Sequence, residues 1–188
     1  ILLIYIQMRG IIMNQKIKFL RETLGLTEKE ISSFLNISSY KYTSFEKAMT
    51  IIPCDILILL SKIYGINIEM LIDSKFDNQD LLFELKSQGI IGEKNILEKL
   101  KQNLLQDNIK LTYRSVKKIK TTYQENIIYF LKELIYNSGM SLIDFAKYID
   151  INSKNLDLIL QKKRFIELNE LISISEKFKI SVDDIIGE

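Results

Sequence analysis

Every residue from Ser38 to Ser44 carries a hydroxyl or an ammonium group, in the order SSYKYTS. If the stretch is helical, Tyr42 and the following Phe45 turn inward, and Ser39, Tyr40, Lys41, Thr43 and Ser44 are left on the outer side. Such a face suits contact with a nucleic acid. Hydroxyls exchange hydrogen bonds with phosphate oxygens and with several base edges, the Tyr40 ring and the Thr43 methyl can meet thymine methyls, and lysines neutralise phosphates. Two features argue for a merely solvated face instead. Glu28 brings a charge that repels phosphate, and no Arg, Asn or Gln stands on the outer side for a bidentate base contact.

Other chemistries have less to work with. The chain has no histidine and one cysteine, Cys54, which lies in an apolar helical pattern and reads as a packed thiol. Zinc sites and Ser-His or Cys-His catalysis lose most of their support without the commonest ligand and general base. The carboxylates are scattered, with no paired acid/base spacing, no calcium loop and no glycine-rich phosphate loop. No catalytic residue, metal or cofactor is therefore assigned, and the chain does not read as an enzyme.

The elements that must hold the hydroxyl-rich stretch are legible around it. Thr27 with Glu30 forms a capping-box pattern at the start of a helix that turns Ile31, Phe34 and Leu35 inward. Asn36 stands at a sharp corner, where Asn tolerates the left-handed conformation, and Ser38 or Ser39 caps the next helix. Before this pair, Ile17, Leu20 and Leu24 give one buried stripe that Gly25 terminates. After it, Pro53 opens a helix carrying Ile56, Leu57, Leu60 and Ile63 inward, Gly65 closes it, and Ile68, Leu71 and Ile72 complete the core.

Helix, corner, helix is the grammar of a helix-turn-helix, and residues 17–72 resemble the lambda-repressor-like (Cro/CI, XRE-type) DNA-binding domain. The resemblance is carried by KIKFLRETLGLT, Ser32 where the family usually has Ala, NIS at the corner, Phe45-Glu46-Lys47-Ala48 after the second helix, and DILILLSKIYGINIEMLI at the end. It implies DNA contact by Thr27, Ser38, Ser39, Tyr40, Lys41, Thr43, Ser44 and Lys47, with Thr27 and the free N–H groups of its helix start holding a phosphate. It also implies that Arg21 of the first helix pairs with Glu46.

The tail repeats the front. A shift of 114 residues sets Gly25-Leu26-Thr27 on Gly139-Met140-Ser141, and the register continues without a gap to Ile72 on Ile186. Arg21 and Glu46 fall on Ile135 and Leu160, so both charges are replaced together by apolar groups, a change that leaves no stranded charge. On this second copy the outer face offers Ser153, Lys154, Asn155 and Gln161 as DNA-contact candidates. Asp157 and Leu158 favour dimerisation or a protein partner instead.

Charge is uneven. Lys and Arg number 26 against 24 Asp and Glu, a net of +2, which does not mark the whole chain as a nucleic-acid sponge. Residues 127–188 hold 8 basic and 10 acidic groups, whereas 74–126 hold 10 and 7, including the cluster Arg114, Lys117, Lys118 and Lys120. The 47% hydrophobic content over 188 residues, with one proline, supports a packed, mainly helical protein.

The expected organisation is all-α: two lambda-repressor-like helix-turn-helix bundles joined by a helical connector. Residues 1–12 read as a non-native or flexible extension ahead of a start at Met13 or Met8, too short and too interrupted by Arg9 to span a bilayer. Residues 13–73 form the first bundle, 74–126 the connector with Thr112 capping its last helix, and 127–188 the second, divergent bundle. The function that follows is a transcriptional regulator binding double-stranded DNA, cytoplasmic, without a membrane partner, and able to act as a homodimer. The alternative is a protein-interaction module, antitoxin-like or anti-repressor, that keeps the fold without DNA affinity.

Overall fold

The computed structural model describes residues 2–105 and 111–187, with side chains from residue 12 onward. Most of the described residues lie in helices and none of them in a strand, so the fold is all-α. Two compact units are present: Ile1–Ile52 with Ile56–Lys117, and Pro53–Asp55 with Lys118–Glu188.

The first unit contains α1 (Leu2–Thr23), α2 (Glu28–Leu35), α3 (Ser39–Glu46), α4 (Cys54–Tyr64, from Ile56 on), α5 (Ile68–Ile72), α6 (Asn78–Ser87) and α7 (Ile96–Leu105). Its core joins Met13, Ile17 and Leu20 to Ile31, Leu35, Tyr42, Phe45, Leu57, Ile63 and Leu71, all buried. Leu24, expected in the stripe, is only half-buried. The expected boundaries at 73/74 and 126/127 differ from the division found after Lys117. Helices α6 and α7 bury Leu81, Leu85, Leu100 and Leu104, α6 lies against α1, and Asn103 on α7 donates to the Ile63 carbonyl of α4 at 3.1 Å. Amphipathic helices with this much apolar surface find a core to cover. Helix α1 runs continuously from Leu2 to Thr23.

One buried cation supports this arrangement. Lys16 is 4% exposed, and its ammonium donates to the carbonyls of Met70 at 2.8 Å and Asp73 at 2.6 Å. These are orphan acceptors at the end of α5, so α1 caps α5 from the side. Burial lowers the lysine's pKa despite the nearby Asp73, Asp80 and Asp77.

The second unit holds α8 (Tyr113–Ser138, from Lys118 on), α9 (Leu142–Tyr148), α10 (Ser153–Leu160), α11 (Leu168–Phe178) and α12 (Val182–Ile186). Thr112 caps α8, its hydroxyl accepting from the Ser115 amide at 3.2 Å. Phe145, Leu156, Ile159, Leu171, Ile174 and Ile185 form the unit's core.

Left-handed corners recur in the two units at the interval of 114 residues read from the sequence. Gly25 (φ 66°) corresponds to Gly139 (65°), Asn36 (54°) to Asp150 (55°), Ala48 (54°) to Lys162 (60°), and Gly65 (63°) to Lys179 (55°). The bounds of α3, α4 and α5 recur at the same interval in α10, α11 and α12. At seven of these eight helix ends the residue past the corner donates back to the carbonyl five residues earlier, as Ile37 does to Ser32 and Ile151 to Ala146, the Schellman arrangement; past Gly139 the Met140 amide donates to the Ser138 hydroxyl instead.

A side chain in the left-handed region costs about 1–2 kcal/mol, and Ala48 has no polar group to offset it. Ala48→Gly is therefore expected to stabilise the protein by about 0.5–1 kcal/mol after the added flexibility of the unfolded chain is subtracted, read as a higher urea midpoint.

Candidate nucleic-acid interface

Helix α3 is fixed from its inner side. Tyr42 and Phe45 are fully buried, and Asn14 on α1 donates its amide to the Phe45 carbonyl. Arg21 and Glu46 pair as the resemblance implied. Nε and Nη2 donate to the two carboxylate oxygens at 2.6 and 2.8 Å, and Nη1 donates to the Leu26 carbonyl at 2.9 Å. The two side chains are 11% and 4% exposed, and the bond to Glu46 raises the guanidinium's pKa further. The pair ties the end of α3 to α1 and to the turn before α2.

Two tyrosines complete this buried polar group. The hydroxyls of Tyr42 and Tyr64 have no hydrogen-bond partner among the described residues, and burial raises the pKa of both phenols. In the second unit the positions of Arg21, Tyr42, Glu46 and Tyr64 are held by Ile135, Leu156, Leu160 and Phe178. Every polar head has gone. The second unit buries a different ion pair, Glu170 with Arg164 at 2.8 Å, at a position where the first unit has Ile56.

On the outer side, the expected hydroxyl-rich face divides into free and engaged groups. Tyr40 is 77% exposed, and Ser38, Lys41 and Lys47 are exposed with it. Ser38 serves as the cap, its hydroxyl accepting from the Lys41 amide at 3.2 Å, and the Lys41 ammonium lies 5.3 Å from the centre of the Phe45 ring. Ser44 is a correction. It is 4% exposed, with its hydroxyl 2.7 Å from both the Lys41 carbonyl and the Thr50 hydroxyl, because the chain folds back over it after Lys47. Ser39 is half-buried, and its hydroxyl meets that of Ser32 at 3.2 Å.

Thr43 and Thr27 are also less available than expected. The Thr43 hydroxyl hydrogen-bonds the Glu28 carboxylate across the α2–α3 junction and sits 2.9 Å from the Ser39 carbonyl. Thr27 is exposed, but both its amide and its hydroxyl donate to Glu30 at 2.7 Å, which closes the capping box. Those bonds hold the Glu30 carboxyl below its ordinary range. The place assigned to a phosphate at the start of α2 is thus filled by the chain's own carboxylate. Met49 and Ile51, exposed in the segment after α3, belong to no helical stripe and gave no signal in the sequence.

In the second unit, Asn152 rather than Ser153 caps α10, accepting from the Lys154 amide at 2.9 Å. Ser153 and Asn155 are half-buried and Lys154 is exposed. Gln161 donates to Asp157 at 2.7 Å, Lys162 to Glu125 at 2.6 Å, and Arg164 reaches Glu167 at 2.6 Å as well as Glu170. Of the basic residues that follow α10, Lys162 and Arg164 thus already face carboxylates. Of the basic cluster on α8, Arg114, Lys117 and Lys118 are exposed, while Lys120 bonds Asp55 at 2.6 Å.

Cys54 is buried, and burial pushes its thiol up in pKa, as a packed thiol requires. Among the described residues no group of His, Cys, Asp and Glu could hold a metal ion, and no helix is long and apolar enough to cross a membrane. Comparison with family models, with curated proteins and with solved structures finds no match to this chain.

Removing one member of a buried ion pair strands the other, at a cost of about 3 kcal/mol. Glu46→Ala is expected to lower stability by that amount in urea denaturation, whereas the double change Arg21→Ile with Glu46→Leu, which copies the second unit, stays within about 1 kcal/mol of the parent.

Proposed function

We propose that the chain is a sequence-specific DNA-binding transcriptional regulator built from two copies of a lambda-repressor-like helix-turn-helix domain, with the first unit as its reading head. One observation carries this. Helix α3 is anchored along its inner side by Tyr42, Phe45 and Glu46, and it holds Tyr40, Lys41 and Lys47 out to solvent. The α2–Asn36–α3 corner supports the helix-turn-helix reading, and the corners recurring at the same interval in the second unit support duplication. The N-terminal turn of α3 enters the major groove, and Lys41 and Lys47 neutralise flanking phosphates. Paired half-sites about one helical turn (~34 Å) apart, or a multiple of it, are read by two domains of one chain or by a homodimer. A cytoplasmic location goes with this role.

The test is selection from a random DNA pool at low and moderate salt. The expected outcome is an enriched motif and a negative salt slope, with Lys41→Glu and Tyr40→Ala weakening binding. Absence of any enriched motif would defeat the reading. Glu28→Gln keeps a partner for Thr43 and removes an anionic group from the same side, so it is expected to tighten binding about threefold or more, with the larger gain at low salt.

A second reading is favoured by the second unit. Its cations are largely matched by carboxylates, and Tyr136 and Ile143 are 85% and 70% exposed. These features suit a protein-interaction module, for which capture of a partner without DNA enrichment would be the signature.

A further inference from the structure

We propose that Tyr40 is the specificity-determining residue of the first unit and that it reads the C5-methyl group of a pyrimidine in the major groove. The inference rests on the DNA-binding reading above and sharpens it to one chemical group on the base.

The argument is one of elimination on α3. A base pair is identified in the major groove by its pattern of donors and acceptors or by the thymine methyl. Reading the pattern needs side chains with free, directional hydrogen-bonding groups, and α3 has few left. The hydroxyl of Ser39 is turned to Ser32, that of Thr43 to Glu28, and that of Ser44 to the chain's own Lys41 carbonyl and Thr50. Ser38 lies before α3 as its cap, where its hydroxyl accepts from the Lys41 amide. Lys41 lies along the helix toward the Phe45 ring, and Lys47 stands at the far end of α3, away from the turn that reaches base edges.

The Thr43 methyl, the other apolar group suited to thymine, sits on a half-buried residue past the first turn, whereas Tyr40 stands in the first turn of α3 and is 77% exposed. Its hydroxyl both gives and takes a hydrogen bond, so it does not tell a donor from an acceptor. Its ring, however, is apolar surface that gains only where the groove presents apolar surface, and the groove presents that at the pyrimidine C5-methyl. The contact therefore recognises a methyl rather than a base. Thymine carries it, uracil and cytosine lack it, and 5-methylcytosine restores it at the same place in the groove.

The experiment uses the full chain and the duplex enriched by selection. Each thymine in turn is replaced by deoxyuridine, which removes the methyl and leaves base pairing intact. At one position per half-site, affinity is expected to fall about fourfold, the worth of one buried methyl. Cytosine at that position should bind more weakly than 5-methylcytosine by a similar factor. Tyr40→Phe should keep both differences and Tyr40→Ala should erase them, with thermal unfolding confirming that both variants are folded. Two results overturn the proposal while leaving DNA binding standing: an enriched duplex that binds equally with uracil at every position, or a methyl effect undiminished in Tyr40→Ala. Failure of the wild-type chain to enrich any duplex overturns it together with the reading it rests on.

Discussion

The first unit depends on a bidentate ion pair closed between helices that are distant in sequence. Arg21 and Glu46 are 25 residues apart, and between them lies most of what defines the outer face: the turn at Gly25, the capping box, α2, the Asn36 corner and α3. A planar guanidinium against a carboxylate fixes orientation as well as distance, and the third bond to the Leu26 carbonyl extends that control to the turn before α2. Apolar packing of Tyr42 and Phe45 decides that α3 is covered on one side. The ion pair holds the end of α3 against α1.

The second unit shows that this solution is one of two available to the same helix pattern. Where the first unit buries Arg21, Glu46 and two phenolic hydroxyls, the second has Ile135, Leu160, Leu156 and Phe178. A buried charge is costly alone and tolerable in company, so such a cluster is kept or lost as a whole. The polar requirement moves rather than vanishing, because Glu170 is buried against Arg164 in a region where the first unit is apolar. The difference reaches the outer surface too. Thr43 and Glu28 hold each other across the α2–α3 junction, while the matching positions, Asp157 and Leu142, offer no such bond between hydroxyl and carboxylate.

Much of the backbone was legible beforehand, because it is written in residues with narrow preferences. Thr27 with Glu30, Asn36 and Gly25 each mark a cap or corner by local chemistry, and Tyr42 with Phe45 marks the buried side by spacing. What escaped was non-local. Ser44 has the exposure expected of its helical position only until Thr50 comes back over it. Thr43 has the right hydroxyl, but the Glu28 carboxylate of the preceding helix claims it, and composition does not reveal which partner a hydroxyl will choose. The packing of α6 and α7 onto the first unit was missed for the same reason, since an amphipathic stripe says that a helix is covered and not by what.

The amine of Lys16 has one more property that follows from its position. It is folded away, it is held by two carbonyls of another helix, and its pKa is depressed. An acylating reagent added to the native protein meets the surface lysines at once and meets this one only when α1 lifts from α5. Its labelling rate is therefore a built-in clock for local opening of the first unit, read by mass spectrometry without any change to the sequence.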